Sequence, residues 1–323
     1  MKAVTIGASG VEISDVAKPS PGSHDVLVHV RANALNRADL MMASGHMHGS
    51  RGGLGAVLGL ECAGEVAALG SDVTGFRIGD RVMCSGSATF AEYVAIDVGR
   101  IAHIPANNMT FTQAATLPVA LQTMHDALVT NGRLRAGETV LIQGASTGVG
   151  LMGMQIAKLM GARLVIGSST NPDRRARLSE FGADLAIDSS DPAWPEAVLA
   201  ATNGQGIDLI IDQISASAAN ANMRAVAIKG RIVNVGRLGG NTGEFDFDLH
   251  ALKRIDYIGV TFRTRSVEDV REIGRRMRAD LWAAVEAGKL ALPIDRSYPF
   301  EQAAQAFAHM QANAHFGKIV LTH

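Results

Sequence analysis

Apolar runs alternate with amphipathic stretches throughout the chain after residue 138. Short runs rich in β-branched residues predict strands near 139–143, 163–167, 184–187, 208–212, 230–235 and 256–260. Helical spacing in the intervals predicts helices near 148–160, 172–181, 194–202 and 215–228. Because strand–helix–strand connections are right-handed, this alternation builds a parallel sheet. The second half of the chain is therefore predicted to be a doubly wound α/β domain of six strands.

The pattern before residue 105 is different. Apolar or alternating runs at 2–6, 25–32, 65–69, 81–84 and 90–96 are separated by frequent glycines and by a Pro-Ser-Pro-Gly turn at 19–22. This spacing is typical of a compact antiparallel barrel with tight turns. From 112 to 131 the apolar positions recur every three or four residues, which predicts one helix between the two domains.

The tail after residue 262 contains too few elements for a third domain. An Arg-rich amphipathic helix over 268–287, a helix over 301–313 and a strand over 317–322 are predicted there. We expect this tail to return to the first domain and complete its sheet. The predicted division is 1–115 with 262–323 as the substrate domain, and 116–261 as the other domain.

Composition and charge fit an ordinary enzyme. The 323 residues are 47% hydrophobic, and 30 Lys and Arg against 31 Asp and Glu give a net charge of −1, which favours neither nucleic acid nor an anionic membrane as a partner. The start has no signal-peptide pattern, and no stretch approaches the roughly 20 apolar residues of a spanning helix, so a cytoplasmic location is expected. Cys62 and Cys84 are too few for a disulfide framework and are expected to be core thiols.

A glycine-rich turn follows the first strand of the α/β domain. A helix N-terminus offers unpaired N–H groups, and small residues before it let a pyrophosphate approach closely. A literal Gly-x-Gly-x-x-Gly begins at Gly148, but the strand ends at Gln143, so we place the working turn at 144–150. The predicted dinucleotide contacts are Gly144, Ala145, Ser146, Thr147, Gly148 and Val149.

The end of the next strand distinguishes NAD from NADP. An acidic residue there would bind the ribose hydroxyls and repel a 2′-phosphate, but the chain has Ser168, Ser169, Thr170 and Asn171. Arg174 and its neighbours could pair with a phosphate, although they could equally form a solvated helix face. We therefore predict NADPH, bound at this end by Ser168, Ser169, Thr170 and Arg174.

Several motifs taken together resemble the medium-chain dehydrogenase/reductase superfamily. They lie at 33–39 (Asn-Ala-Leu-Asn-Arg-Ala-Asp), 58–66, 75–82, 90–94, 134–142 and 317–321. Within the superfamily, the chain looks most like the zinc-lacking quinone oxidoreductases related to zeta-crystallin. The resemblance implies a GroES-like β-barrel catalytic domain joined to a Rossmann cofactor domain.

The resemblance also bears on metal binding. Zinc-dependent relatives carry Cys where this chain has Asn36 and His where it has Leu60, and neither replacement can serve as the ligand. His46 and His48 could be imagined as ligands together with Glu61, but two histidines in a glycine-rich loop are more often ordinary loop residues. No metal is expected.

Further site residues are implied by the resemblance alone. Asn36 would lie beside the nicotinamide ribose as the catalytic residue, and Met41, His46 and Met47 would line the substrate pocket, with methionines where relatives often have tyrosines. Ser189 stands where a tyrosine often contacts the adenosine phosphate. The remaining implied cofactor contacts are Thr123, Val235, Gly236, Leu238, Phe262, Arg263, Asn313 and Lys318.

The function implied is hydride transfer from NADPH, without a metal, to a quinone or to a carbon–carbon double bond conjugated to a carbonyl group. Such acceptors place the developing charge on an oxygen that an amide or hydroxyl donor can hold. An enoyl-thioester reductase and a nucleotide-binding protein with little turnover are the alternatives. His46, His48, Tyr93 or solvent could supply the proton, and a homodimer is expected.

Overall fold

The computed structural model describes residues 1–8, 10–47, 49 and 51–323, and it divides into two compact units. Unit 1 consists of Met1–Val119 and Phe262–His323, and unit 2 consists of Ala120–Thr261.

The first segment of unit 1 is mostly β-structure. Its elements are β1 (Lys2–Gly7), β2 (Gly10–Asp15), β3 (Asp25–Ala34), α1 (Arg37–Ala43), β4 (Glu61–Leu69), β5 (Arg81–Ser85), β6 (Tyr93–Asp97), β7 (Ile101–His103) and α2 (Phe111–Ala115). The single helix predicted over 112–131 is wrong. It is divided into α2, α3 (Pro118–His125) and a π-helical segment (Asp126–Asn131), because Pro118 lacks an N–H and cannot continue the preceding turn.

Unit 2 alternates strands and helices. Its further elements are β8 (Thr139–Ile142), α4 (Gly148–Leu159), β9 (Leu164–Ser168), α5 (Pro172–Ala176), β10 (Leu185–Ile187), α6 (Trp194–Ala201), β11 (Ile207–Asp212), α7 (Ala219–Ala225), β12 (Val226–Asn234), α8 (Phe247–Lys253) and β13 (Asp256–Gly259). The tail in unit 1 contributes α9 (Val267–Glu286), β14 (Ile294–Pro299), α10 (Ala303–Gln311) and β15 (Lys318–Thr322).

The sheet of unit 2 is parallel throughout, in the order β10-β9-β8-β11-β12-β13. This is the doubly wound order expected from the sequence, so the predicted fold class is confirmed. The strands are buried on both faces, with Leu141, Ile166 and Ile210 fully inaccessible to solvent. The carboxyl ends of β8, β9, β11 and β12 therefore meet along one edge, where this kind of sheet binds ligands.

The tail completes the sheet of unit 1, as predicted. The path is β14-β15-β3-β4-β5-β7, with β6 also paired to β3, and β15 runs antiparallel to β3 with Val320 opposite Ala34. β1 and β2 form a separate hairpin. Ile319 and Leu321 pack in a core with Leu35, Leu58 and Phe90, which binds the tail to the N-terminal segment.

The two cysteines face each other across β4 and β5. Cys62 pairs with Cys84 in the strand register, both side chains are fully buried, and their Sγ atoms are 3.2 Å apart. The expectation that they are core thiols is confirmed.

Candidate active site

The glycine turn of unit 2 is built around the start of α4. Thr147 is the N-cap residue, and its Oγ1 accepts a hydrogen bond from the Gly150 N–H at 3.0 Å. A Cβ atom at Gly150 would lie 2.6 Å from the Gly144 carbonyl oxygen, so only glycine lets the helix sit this close to the turn. Gly144 itself has a φ of +69°. The turn thus precedes Gly148, and the literal glycine motif lies inside the helix.

Hydrogen bonds among buried polar side chains hold this turn in place. The Gln143 side chain donates to Asn222 Oδ1 at 2.9 Å, and Gln213 Nε2 donates to the Gln143 carbonyl oxygen at 3.0 Å. Thr147 Oγ1 donates to Gln213 Oε1 at 2.9 Å, which ties the network to the cap of α4. Nothing in the sequence pattern indicates that Gln143 and Gln213 are partners, because a polar residue at a strand end is usually exposed.

Ser168 belongs to this network, which corrects the expectation that it binds a phosphate. Its side chain is fully buried, its hydroxyl donates to Gln143 Oε1 at 2.6 Å, and it accepts from the Gly144 N–H at 3.0 Å. A hydroxyl held in this way is not available to a ligand. Ser168 instead fixes the position of the glycine turn.

The other residues after β9 differ in their access to solvent. Ser169 is buried, and its hydroxyl donates to Ser146 Oγ at 3.1 Å. Arg175 is committed to Asp188 and to the Ser169 carbonyl oxygen. Thr170 is exposed and Arg174 is half-buried on the first turn of α5. These two, with the half-buried Ser189, are the predicted contacts of this end that solvent still reaches.

The segment after β12 is joined to the segment after β11 by backbone hydrogen bonds. The N–H groups of Val235 and Gly236 donate to the Asp212 carbonyl oxygen, and that of Leu238 donates to the Gln213 carbonyl oxygen. A Cβ at Gly236 would lie 2.7 Å from the Gln213 carbonyl oxygen. Val235, Gly236 and Leu238 therefore lie at the carboxyl edge of the sheet. Thr123 is half-buried on α3.

These features of unit 2 fit a dinucleotide. The first N–H groups of a helix lack intrahelical partners, and here the preceding turn has no bulky side chain to keep a pyrophosphate away. Ala145 is buried and its N–H donates to the Ser168 carbonyl oxygen, so its part is to shape the turn. Ser146, Gly148 and Val149 are half-buried at the start of α4.

In unit 1, Asn36 is held by a buried ion pair. Lys318 Nζ donates to Glu61 Oε1 at 2.6 Å and to Asn36 Oδ1 at 2.9 Å, while Asn36 Nδ2 donates to Glu61 Oε1 at 2.9 Å. The second Glu61 oxygen accepts the Val119 N–H at 2.8 Å. An ammonium can only donate, so the contact with Lys318 fixes which atom of the Asn36 amide is oxygen.

This network defines the parts played by Lys318 and Glu61. Lys318 is buried with its ammonium group on Asn36 and Glu61, so it orients Asn36 and is not placed to contact the cofactor itself. Glu61 is fully buried and occupied by three donors, so it is not available as a metal ligand beside His46. His48 lies outside the described residues.

A second buried carboxyl group lies beneath Asn36. Asp39, in the first turn of α1, accepts the Asn36 backbone N–H at 2.8 Å. Its side chain is fully buried, and this burial raises the pKa of Asp39 to about 7. The hydrogen bond from the Asn36 N–H and the positive charge of Lys318 lower this pKa, but by less than burial raises it. Asp39 therefore fixes the backbone from which the Asn36 side chain extends.

The other predicted residues of unit 1 are more open. Met41 and Met47 are 48% and 55% exposed, and His46 is also exposed. Phe262 is half-buried and Arg263 is exposed, while Asn313 accepts a hydrogen bond from Arg37 at 3.0 Å. Tyr93, one of the candidate proton donors, stacks on His29 with ring centroids 4.6 Å apart, which favours a structural role for it.

Among the described residues, no group of three or more His, Cys, Asp or Glu side chains is arranged to hold a metal ion. Within the same residues, no helix combines the length and the apolar character that crossing a bilayer requires.

Two family models match the chain. The alcohol dehydrogenase GroES-like domain matches residues 22–106, and the zinc-binding dehydrogenase model matches residues 148–278. The chain belongs to the medium-chain dehydrogenase/reductase superfamily. It is accordingly an oxidoreductase of the superfamily's type, with the GroES-like and Rossmann domains of that fold, and the superfamily binds a nicotinamide cofactor.

Solved structures of superfamily proteins cover the whole chain. An alcohol dehydrogenase superfamily protein from Novosphingobium aromaticivorans is 29% identical, with a TM-score of 0.90 over 100% of this chain and 99% of that one. A quinone oxidoreductase from Pseudomonas syringae is 26% identical, with a TM-score of 0.87 over 100% and 99%.

Curated relatives are much longer than this superfamily member. A highly reducing polyketide synthase of a fungal species is 30% identical over 305 residues, which is 91% of this chain and 11% of the synthase. The chain spans only 11–14% of the length of such curated relatives.

Proposed function

We propose that the protein transfers a hydride from NADPH to a quinone or to a carbon–carbon double bond conjugated to a carbonyl group. The observation that carries this proposal is the amide of Asn36, which the buried pair of Glu61 and Lys318 holds in one orientation. Both N–H groups of the amide are engaged, by Glu61 and by the Ala34 carbonyl oxygen, whereas Oδ1 keeps one lone pair. Asn36 is thus suited to accept a hydrogen bond from a ribose hydroxyl.

The proposal assigns separate tasks to the two units. NADPH supplies the hydride when it is bound. The turn at 144–150 would hold its pyrophosphate, and Asn36 would orient its nicotinamide ribose. Because Asn36 has no spare N–H, it cannot stabilise the negative charge on the acceptor oxygen, so acceptors that spread this charge by conjugation suit the site. Solvent is the proposed source of the proton.

We propose that the reaction needs no zinc. Asn36 and Leu60 replace the cysteine and histidine that zinc-dependent relatives use, and the Lys318 ammonium would lie next to a metal bound there. A buried cation repels a second cation placed beside it. One equivalent of zinc bound per chain, measured by elemental mass spectrometry of the purified protein, would contradict this part of the proposal.

Turnover is tested with an acceptor panel. NADPH oxidation is followed with quinones, enones, haloacrylates and enoyl thioesters, using the wild-type protein and the Asn36→Ala variant. We expect kcat/KM to fall about ten- to hundredfold in the variant, because the nicotinamide loses its fixed position. Tight NADPH binding with no oxidation by any acceptor would leave only a nucleotide-binding role.

The preference for NADPH is tested at Thr170. This residue is exposed, so Thr170→Asp places a negative charge near the proposed 2′-phosphate without disturbing buried groups, whereas Asp at the buried position 168 would damage the turn itself. We expect the KM for NADPH to rise about tenfold or more and that for NADH to change little. Thr74→Asp, at an exposed position of unit 1, is the control. Equal effects on both cofactors would exclude the proposed phosphate contact.

An enoyl-thioester reductase is the second candidate. It is favoured by the similarity of nearly the whole chain to part of a highly reducing polyketide synthase. An enoyl thioester is also a double bond conjugated to a carbonyl group, so the same hydride transfer applies. The expected homodimer is a separate proposal, and sedimentation analysis of the purified protein tests it.

A further inference from the structure

The two cysteines occupy directly opposite positions in neighbouring antiparallel strands. Cys62 of β4 pairs with Cys84 of β5, and their Sγ atoms are 3.2 Å apart. They are the only cysteines of the chain. The side chains around them are apolar, with Val82, Ile96 and Ile101 in the same core. Unit 1 thus holds both thiols of the protein in contact with each other.

The backbone at this pair has the spacing that a disulfide requires. The Gly86 N–H donates to the Leu60 carbonyl oxygen at 2.8 Å, in the register that places Cys62 opposite Cys84. Hydrogen-bonded pairs recur every second residue along an antiparallel ladder, so Cys62 and Cys84 form such a pair. The Cα atoms of these pairs are about 5.5 Å apart, and disulfides usually join Cα atoms about 5.5–6 Å apart. The strands therefore need little movement for the sulfur atoms to bond.

We propose that Cys62 and Cys84 form a disulfide when hydrogen peroxide oxidises the protein, and that a small dithiol reduces it again. In the first step, the Cys84 sulfur attacks a peroxide oxygen, the O–O bond breaks, and water leaves while Cys84 becomes a sulfenic acid. In the second step, the Cys62 sulfur attacks the Cys84 sulfur, the S–O bond breaks, and a second water leaves. Together the two thiols lose two electrons and two protons, and one peroxide becomes two waters.

Cys84 is the residue expected to react first. Its strand, β5, pairs with the three-residue β7 at one end of the sheet, where Cys84 lies opposite Ile101. A short edge strand opens at a low free-energy cost, and opening of β7 uncovers Cys84 before Cys62. The hydrogen bond with Cys84 and burial raise the pKa of the Cys62 thiol, which leaves little of its reactive thiolate form. Cys62 therefore reacts second, with a sulfur that it already contacts.

The first test treats the folded wild-type protein with hydrogen peroxide. We expect both free thiols to disappear together and a digest to contain a peptide in which Cys62 is joined to Cys84, lighter than its two parts by two hydrogen atoms. Dithiothreitol should restore both thiols. Oxidation only after unfolding in urea, a disulfide between two chains, or an irreversible sulfinic acid at either position would overturn the proposal.

The disulfide should also make unit 1 harder to unfold, because it closes a loop between residues that are 22 positions apart. We expect hydrogen exchange through global unfolding in β4 to slow about a hundredfold after oxidation. Cys84→Ala, which cannot form the bond, should show no such change after the same treatment. Unchanged or faster exchange in the oxidised wild-type protein would contradict a disulfide that fits the native sheet.

Single variants separate the roles of the two sulfur atoms. Cys62→Ala should stop at the Cys84 sulfenic acid, which dimedone traps. Cys84→Ala should be trapped about tenfold more slowly or less, because Cys62 is farther from the edge of the sheet. Circular dichroism checks that both variants fold. Equal rates of trapping in the two variants would refute the assigned order.

The entry of peroxide is tested at β7. Ile101→Ala removes buried contacts of this strand, so we expect disulfide formation to become about tenfold faster. Ile187→Ala is the matched control, because it shortens a buried isoleucine in β10, the strand at one end of the sheet of unit 2. It should leave the rate of disulfide formation unchanged. Equal rates in the wild-type protein and both variants would exclude opening of β7 as the route.

Discussion

The carboxyl group of Asp39 is buried next to Asn36, and its ionisation should affect the stability of the folded state. Its pKa of about 7 in the folded protein exceeds the value of roughly 3.9 for an exposed aspartate. The folded state therefore keeps this proton to a higher pH than the unfolded state does. The resulting stabilisation is complete below the unfolded pKa and is lost as the pH rises through about 7.

Asp39→Asn should remove this dependence, because the amide cannot ionise but still accepts the Asn36 N–H. Between about pH 4 and pH 8, we expect the free energy of unfolding of the wild-type protein to fall relative to that of the variant by at most about 4 kcal/mol. Urea denaturation at several pH values measures the difference. Asp173→Asn, at an exposed position of α5, is the control. Parallel curves for the wild-type protein and Asp39→Asn would show that Asp39 ionises normally.

Individual site residues were predictable where a motif marks them. Asn36 and the residues of the glycine turn stand in recognisable motifs, and the structure gives each a definite position. Glu61, Gln143 and Gln213 were missed as partners, because pairing between buried polar groups depends on which strand ends meet in space. Ser168 was misassigned for the same reason, since the sequence does not show that Gln143 faces it.

At the level of elements, the start of α4 depends on the absence of a side chain at Gly150. Gly150→Ala would place a methyl group 2.6 Å from the Gly144 carbonyl oxygen, which belongs to backbone and cannot rotate away. We expect a loss of about 1–3 kcal/mol in stability and a KM for NADPH raised about tenfold or more. Gly259→Ala is the control, because a Cβ there meets nothing within 4 Å. Unchanged NADPH affinity in Gly150→Ala would show that the turn does not carry the cofactor.

Elements with strong periodicity were predicted well, and elements defined by local hydrogen bonds were not. The six strands of unit 2 followed from the alternation of apolar runs, and their order is the doubly wound order expected of a dinucleotide-binding fold. By contrast, α1 is only seven residues long and is fixed by the contact of Asp39 with the Asn36 N–H, so its apolar pattern is too short to recognise. The apolar residues across 112–131 keep their helical spacing through Pro118, so the apolar pattern alone does not indicate the interruption there.

For the molecule as a whole, the stability of unit 1 should depend on its last strand. Leu321 is fully buried in β15, which pairs with β3. We expect Leu321→Ala to cost about 2–5 kcal/mol and to increase hydrogen exchange in β3 as well as in β15. Exposed Lys289→Ala, elsewhere in the tail, should have little effect. If hydrogen exchange becomes faster only in β14 and β15, the tail does not stabilise the rest of the sheet of unit 1.

The position of Lys318 has a consequence for the order of events during synthesis. Asn36 and Glu61 leave the ribosome early, yet the ammonium group that orients them arrives only after all of unit 2 has been made. At about 5–20 residues per second, the interval between residues 120 and 318 is about 10–40 s. Unit 2 is continuous in sequence and can fold during this interval. The nascent chain would thus be able to bind a nucleotide before its Asn36 centre is assembled.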